Sequence, residues 1–255
     1  MVIVPGLLLV GATALFRISG ADVAICRLFY AGEVAGWPGL HAHPWDWLYH
    51  YGPCPGLVLG IGGAAVAVAS SFWATVRPWQ RAGLFLALLL ALGPGLMVNG
   101  VFKPRWGRPR PLQIKEFGGS QDFVSVWSLR PGGIHKSFPC GHASMGFYLM
   151  GPAFLCYRRH PKWAVLFLGL GLAGGTLLGL GRVAQGRHFP SDVLWSGGMV
   201  YSCGLSLAYV FHAMWRETGG PTPAAEEREP VILSIERARG EATRADEGRR
   251  RRRAA

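Results

Sequence analysis

A chain of 255 residues in which half are hydrophobic and only 16% are charged carries too few charges for an ordinary soluble domain, where about a quarter of residues are charged. Its formal net charge of +12 does not indicate nucleic acid, because the basic residues lie in loops between apolar runs and in a terminal tail, not on a polar face interleaved with aromatics. Composition thus excludes a soluble nucleic-acid binder and predicts an all-α, polytopic membrane protein.

Six apolar runs follow one another, at residues 2–16, 56–76, 83–102, 142–157, 163–180 and 193–215, most of them near the roughly 20 residues that cross a bilayer core. They predict a six-transmembrane-helix bundle. The first run carries Ala12-Thr13-Ala14, which resembles a cleavage site, but it lacks a basic segment ahead of it and reads as an uncleaved helix. From Ile18 to Pro55 the chain is rich in Trp37, Trp45, Trp47, Tyr49 and Tyr51, rings suited to the headgroup region, and is predicted to lie along the outer interface. His41, His43 and His50 in that stretch lack a Cys or carboxylate constellation and read as interfacial side chains, not metal ligands.

Loop charges orient the bundle. Arg77 and Arg81, then Arg158, Arg159 and Lys162, then the Arg-rich tail all fall on one side, which the positive-inside rule makes cytoplasmic. The loop from Lys103 to Gly141 then faces outward, the periplasmic side of an inner membrane, despite Lys103, Arg105, Arg108, Arg110, Lys115, Arg130 and Lys136. A site for an anionic substrate explains that excess. Gly171, Gly175 and Gly179 recur every four residues and predict a stripe where a neighbouring helix approaches closely. After Arg216 the composition changes to interspersed Glu and Arg ending in Arg249 to Arg253, which resists a packed core. The predicted organisation is a membrane domain over residues 1–215 and a charged cytoplasmic tail over residues 216–255, disordered or partly helical and dispensable for catalysis.

The chemistry sits in three short stretches: Lys103 to Pro111, Pro139 to His142, and Arg182 to Asp192. A phosphomonoester presents two charges and three non-bridging oxygens, so a metal-free site must supply several cations and backbone donors. Lys103, Arg110 and Arg182 meet that need, and a helix starting at Cys140-Gly141-His142 would point free N–H groups at the anion. His188 and Asp192 are four apart, so Asp192 can hold one imidazole nitrogen and leave the other free to attack phosphorus. His142 is then available as the general acid, and the same group can activate the water that hydrolyses the phosphohistidine. That division of labour requires His188 unprotonated and His142 protonated on entry.

Lys103-x6-Arg110-Pro111, Pro139-Cys140-Gly141-His142 and Arg182-x5-His188-x3-Asp192 resemble, in order, the three signature motifs of the type 2 phosphatidic acid phosphatase superfamily. The resemblance covers roughly residues 1–215. It implies a helical bundle, an active site at the outer membrane-water interface, phosphoester hydrolysis through a phosphohistidine without metal or cofactor, and the roles given above to His188, Asp192 and His142. It also implies that Lys103, Arg110, Arg182, Cys140 and Gly141 bind phosphate. Two positions depart from the pattern: Cys140 and Gly181 stand where the family usually has Ser. A thiol is a weaker hydrogen-bond donor than a hydroxyl, so a phosphate contact from position 140 is weakened.

Rival readings are less well supplied. A cysteine phosphatase needs an Arg six residues after its nucleophile, where this chain has Gly146. A two-metal phosphatase needs more carboxylates than Asp192, Asp122 and Glu116. A lipid phosphotransferase would use the same residues, and a non-catalytic lipid-binding scaffold of the superfamily is the competing class. Expected partners are a membrane lipid phosphate and the bilayer, with resemblance in the third motif and in the Pro44–Tyr49 stretch to the branch acting on lipid A. Arg105, Arg108 and Lys115 are candidates for a second phosphate or a sugar headgroup. Cys26 and Cys54 both fall on the outer side, where a disulfide is chemically permitted.

Overall fold

A computed structural model describes residues 3–217, and all structural statements below concern those residues; the tail beyond Glu217 lies outside them. The chain is helical: α1 (Ile3–Ser19), α2 (Ala21–Arg27), α3 (Gly32–Ala35), α4 (Trp45–Tyr51), α5 (Cys54–Ala69), α6 (Gln80–Leu90), α7 (Lys103–Arg105), α8 (Gly141–Phe147), α9 (Gly151–Cys156), α10 (Pro161–Ala184) and α11 (Pro190–Glu217). Between α6 and α7 the segment Ala91–Phe102 winds as a wider π-helix around Pro94, whose ring nitrogen has no proton to continue the tighter ladder. Pro161 and Pro190 open α10 and α11, positions where a missing N–H costs nothing. The described residues up to Tyr209 form one compact unit, and from Val210 on only the last turns of α11 are described.

Four stretches are long and apolar enough to cross a membrane: Trp45–Ala69, Ala74–Arg105, Pro161–Ala184 and Pro190–Ala213. Pro5–Ser19 with Ala21–Arg27 makes a fifth only if the two helices, bent by 69°, count as one span. The six expected spans are therefore not reproduced as six continuous helices. The run expected over residues 142–157 is helical but broken into α8, a 3-10 turn at Tyr148–Met150, and α9. Pro152, at the start of α9, has no N–H to continue the helix behind it. The span expected to begin at Gly56 starts earlier, because α4 and α5 run on as one stretch from Trp45. That places part of the supposed interfacial segment in a helix.

The bend between α1 and α2 falls at Gly20, whose φ of 65° is a conformation other residues adopt only with strain. It turns α2 inward, so that Cys26 joins Ile114, Phe117, Val183 and Phe189 in a buried cluster. A second cluster of Val98, Val126, Phe138 and Met199, flanked by Trp106 and Trp195, fastens the long loop after α7 onto the bundle.

The α10 glycines behave as the spacing predicted. A Cβ at Gly171 would lie 2.5 Å from the Met150 backbone, one at Gly175 would strike the Phe147 ring, and one at Gly179 would strike Val193. The same helix turns Val165, Leu166, Leu170 and Leu172 outward into exposed positions. Small residues inward and large apolar ones outward invert the pattern of a water-facing helix and suit lipid surroundings.

Candidate active site

The three motif segments meet at one end of the bundle, joined largely through backbone. The Leu112 N–H donates to the Gly186 carbonyl at 3.0 Å, tying the first motif to the turn inside the third. The Cys140 N–H donates to the Asp192 carbonyl at 3.3 Å, and Ser196 Oγ donates to the Cys140 carbonyl at 2.9 Å, tying the second motif to the third. Because α11 begins at Pro190 and α10 ends at Ala184, His188 sits in the five-residue link between two membrane-length helices.

Helix α8 opens at Gly141, as the second motif predicted, with Cys140 as the preceding residue and no side chain capping it. A Cβ on Gly141 would lie 2.7 Å from Asn99 Oδ1 and 3.3 Å from Lys103 Nζ, so glycine there allows the lysine to reach the start of α8. Cys140 is fully buried, and burial pushes its thiol up, keeping it neutral. A neutral thiol is a poor nucleophile, which weighs against the cysteine-phosphatase alternative. At Gly181 the nearest atom to an added Cβ is on Trp45 at 3.4 Å, ordinary contact, so the missing serine reflects no lack of room.

His188 is only 2% exposed. Burial, offset in part by Asp192 and reinforced by the charges of Lys103 and Arg182, holds its imidazole down to about 3. It is unprotonated at neutral pH, the state a nucleophile needs. Its Nδ1 lies 3.5 Å from Asp192 Oδ2, longer than a hydrogen bond, and has no closer partner. Asp192 is itself held tightly: its Oδ2 accepts from Ser137 Oγ at 2.6 Å and from the Phe189 N–H at 2.9 Å, and its Oδ1 accepts from Arg108 Nη1 at 2.5 Å.

The cations converge on the same place. Arg110 and Arg182 each have a buried Nε without a hydrogen-bond partner. Burial and the neighbouring Arg187 charge lower the Arg110 pKa, the mark of like charges gathered together. Arg182 is braced by Gln185 Oε1 at 2.5 Å and by the ring of Tyr49, which its guanidinium covers at 4.6 Å from the centroid.

Tyr49 is the site residue that its sequence neighbourhood concealed. Its ring also stacks on His142, with centroids 4.8 Å apart and planes 25° apart, so one aromatic lies against both a candidate general acid and a candidate phosphate-binding arginine. Tyr49→Leu is expected to lower kcat/KM roughly tenfold. Tyr49→Phe, which keeps the face, is expected to stay near the parent value. The ring is 39% exposed, so a melting temperature measured alongside should change little.

The three residues expected to meet a second phosphate or a sugar are occupied elsewhere. Arg105 Nη1 donates to the carbonyls of Gly100 and Val101 at the end of its own helix, Lys115 pairs with Asp122 at 2.8 Å, and Arg108 is fully buried. Arg108 Nη2 donates to Asp22 Oδ2 at 2.8 Å, making a buried triad of Asp22, Arg108 and Asp192. Deleting one partner of such a pair costs about 3–5 kcal/mol. Cys26 and Cys54 are both free thiols, the first buried with Sγ 4.0 Å from the His188 carbonyl and the second exposed.

Helices of membrane-crossing length ending in a cluster of arginine, lysine and two histidines define a helix bundle with a cationic end. The model of the PAP2 superfamily matches residues 82–218, more than half the chain, and the chain belongs to that superfamily. Among curated proteins it is 41% identical over 140 residues to the lipid A 4'-phosphatase of Francisella tularensis subsp. novicida, covering 54% of this chain and 61% of that protein. It is 34% identical over 125 residues to the lipid A 4'-phosphatase of Rhizobium leguminosarum, covering 48% and 52%. With the lipid A 1-phosphatase of Rhizobium johnstonii the identity is 31% over 133 residues, covering 51% and 46%. The matched region thus spans about half to three fifths of these relatives. No solved structure matches the chain.

Proposed function

We propose that this protein is a membrane lipid phosphatase that hydrolyses a phosphate monoester or diphosphate of a lipid at the outer, periplasmic face, through a phosphohistidine on His188 and without a metal. One observation carries the reading. Of the five buried side-chain polar atoms without a hydrogen-bond partner among the described residues, two are the Nε atoms of Arg110 and Arg182, the arginines assigned to phosphate, and a third is His188 Nδ1, which faces Asp192 at 3.5 Å and leaves the other ring nitrogen for attack.

In this reading Lys103, Arg110 and Arg182 hold the non-bridging oxygens, with backbone donors from Cys140-Gly141 at the start of α8. The free nitrogen of His188 attacks phosphorus while Asp192 steadies its ring; His142, whose imidazole is held down to about 4 by burial and by the charges of Arg182 and Lys103, takes up its proton only as the phosphate dianion arrives between those cations, and then protonates the departing alkoxide. His142 next takes a proton from water, which attacks the phosphohistidine and releases inorganic phosphate. Positive side chains supply the charge stabilisation that a metal supplies in other phosphatases. The short, broken α8–α9 run completes a six-span bundle in which the tail beyond α11 is cytoplasmic. Lipid A-type phosphates are the favoured substrates, since the relatives bearing that name are 31–41% identical to this chain over 125–140 residues.

Purified protein offered a panel of lipid phosphates at matched detergent concentration is expected to release inorganic phosphate fastest from lipid A-type species and to do so unchanged in excess chelator. Loss of turnover in chelator that a divalent ion restores would refute the metal-free mechanism. Phosphate appearing on an added lipid acceptor in place of water would identify a transferase, and no release from any member of the panel would leave a binding scaffold.

A further inference from the structure

We propose that Asp22 and Arg108 are positioning residues for catalysis, holding Asp192 and, through it, the ring of His188. The inference rests on His188 being the nucleophile. Arg108 uses its fork fully: Nε donates to the Val124 carbonyl at 2.8 Å, Nη1 to Asp192 Oδ1 and to Ser191 Oγ, and Nη2 to Asp22 Oδ2. Its plane lies against the Phe189 ring, 4.3 Å from the centroid. Asp22 is held just as firmly, accepting from the Ser191 N–H at 2.9 Å and from Ser191 Oγ at 2.6 Å. Both hydrogen bonds go to the first turn of α11, the turn that also carries Asp192.

The charge count gives the triad more than a structural role. Two carboxylates share one guanidinium, so the group carries one net negative charge, and it lies beside His188. Without Asp22, Arg108 would neutralise Asp192, leaving a weaker acceptor for the His188 Nδ1 proton and a less basic attacking nitrogen. Asp22 therefore keeps the net charge beside His188 negative despite a buried arginine that fixes the position of Asp192. It lies outside residues 82–218, in the helix that Gly20 turns inward, so this N-terminal segment becomes part of the catalytic machinery.

The charged groups acting on the His188 ring are Asp192 from α11, Lys103 from α7 and Arg182 from α10, and the Cys26 thiol from α2 lies 4.0 Å from its backbone carbonyl. Asp22→Asn preserves size and removes only the charge. It is expected to lower kcat by about 10- to 100-fold with KM within about twofold, and to move the acid limb of the kcat profile to lower pH, because the imidazolium loses a stabilising anion. Asp22→Glu should recover part of kcat, and Arg108→Lys should lose more than Ser191→Ala. A folded Asp22→Asn protein with parental kcat and an unmoved acid limb would overturn the proposal, whatever its melting temperature. If Asp22→Asn does not fold, Ser191→Ala decides: a smaller loss of kcat with the same direction of pH shift supports the proposal, and parental behaviour overturns it. His188→Ala measured alongside separates the two levels, since activity in that variant would refute the assigned nucleophile and not the triad alone.

Discussion

His188→Ala is expected to abolish turnover, by about 10⁴-fold or more, when phosphate release from a lipid phosphate is measured in detergent. The side chain is buried, uncharged at neutral pH and next to a carboxylate that is anchored by three other groups, so no neighbour can take over its attack. The Cys140 thiol is another nucleophilic group in the motif cluster, and burial keeps it protonated. The parent enzyme, quenched during turnover, should yield a phosphoryl group labile in acid and stable in base, the signature of a phosphohistidine. The alanine variant should yield none. Phosphoenzyme of that character in His188→Ala would place the nucleophile elsewhere.

The second large effect falls on His142. With a lipid substrate, whose leaving alkoxide needs a proton, His142→Ala should cost about 10² to 10⁴ in kcat. With p-nitrophenyl phosphate the leaving phenolate needs no proton, so the first step should survive in the variant. The subsequent hydrolysis should not survive, because the same imidazole serves as base for water. The expected trace is a burst of one nitrophenolate per enzyme followed by slow release. Equal loss on both substrates with no burst would reassign His142 from proton transfer to phosphate binding.

Sequence reading located the three motif segments because the chemistry of each is local: Lys103 to Arg110, Cys140 to His142 and His188 to Asp192 all fall within a few helical turns. Helix starts at Gly141 and Pro190 were legible for the same reason, and so was the glycine stripe of α10. Contacts between distant segments were not. Asp22 meets Arg108 across 86 residues, and no periodicity announces that pairing. Asp22 is nevertheless the sole acidic residue among the first 32, in a largely apolar stretch whose other charges are Arg17 and Arg27, and an acidic group in such a place is itself a functional signal. Tyr49 was hidden by its neighbours: surrounded by Trp45, Trp47 and Tyr51, it read as one more ring of an interfacial belt. Arg108 was assigned to substrate because position in a basic loop says nothing about burial. Six continuous spans were not reproduced, because Pro152 breaks the run over residues 142–157 and α1 alone is short, reaching membrane length only together with α2 across the bend at Gly20.

The glycines of α10 have a further effect, on tolerance to change far from the chemistry. Phe147, the last residue of α8, rests where a side chain at position 175 would be, and Gly146 packs on the backbone of Gly174 and Gly175. Gly175 is seven residues, roughly 10 Å along the axis, below Arg182. The gap between α8, which carries His142 in its first turn, and α10, which carries Arg182 in its last, is therefore gauged by a hydrogen atom set two turns beneath the candidate site. A single added methyl at that depth would act as a wedge, parting acid from cation while touching neither, so the width of the active site is controlled from inside the bilayer-facing body of the protein.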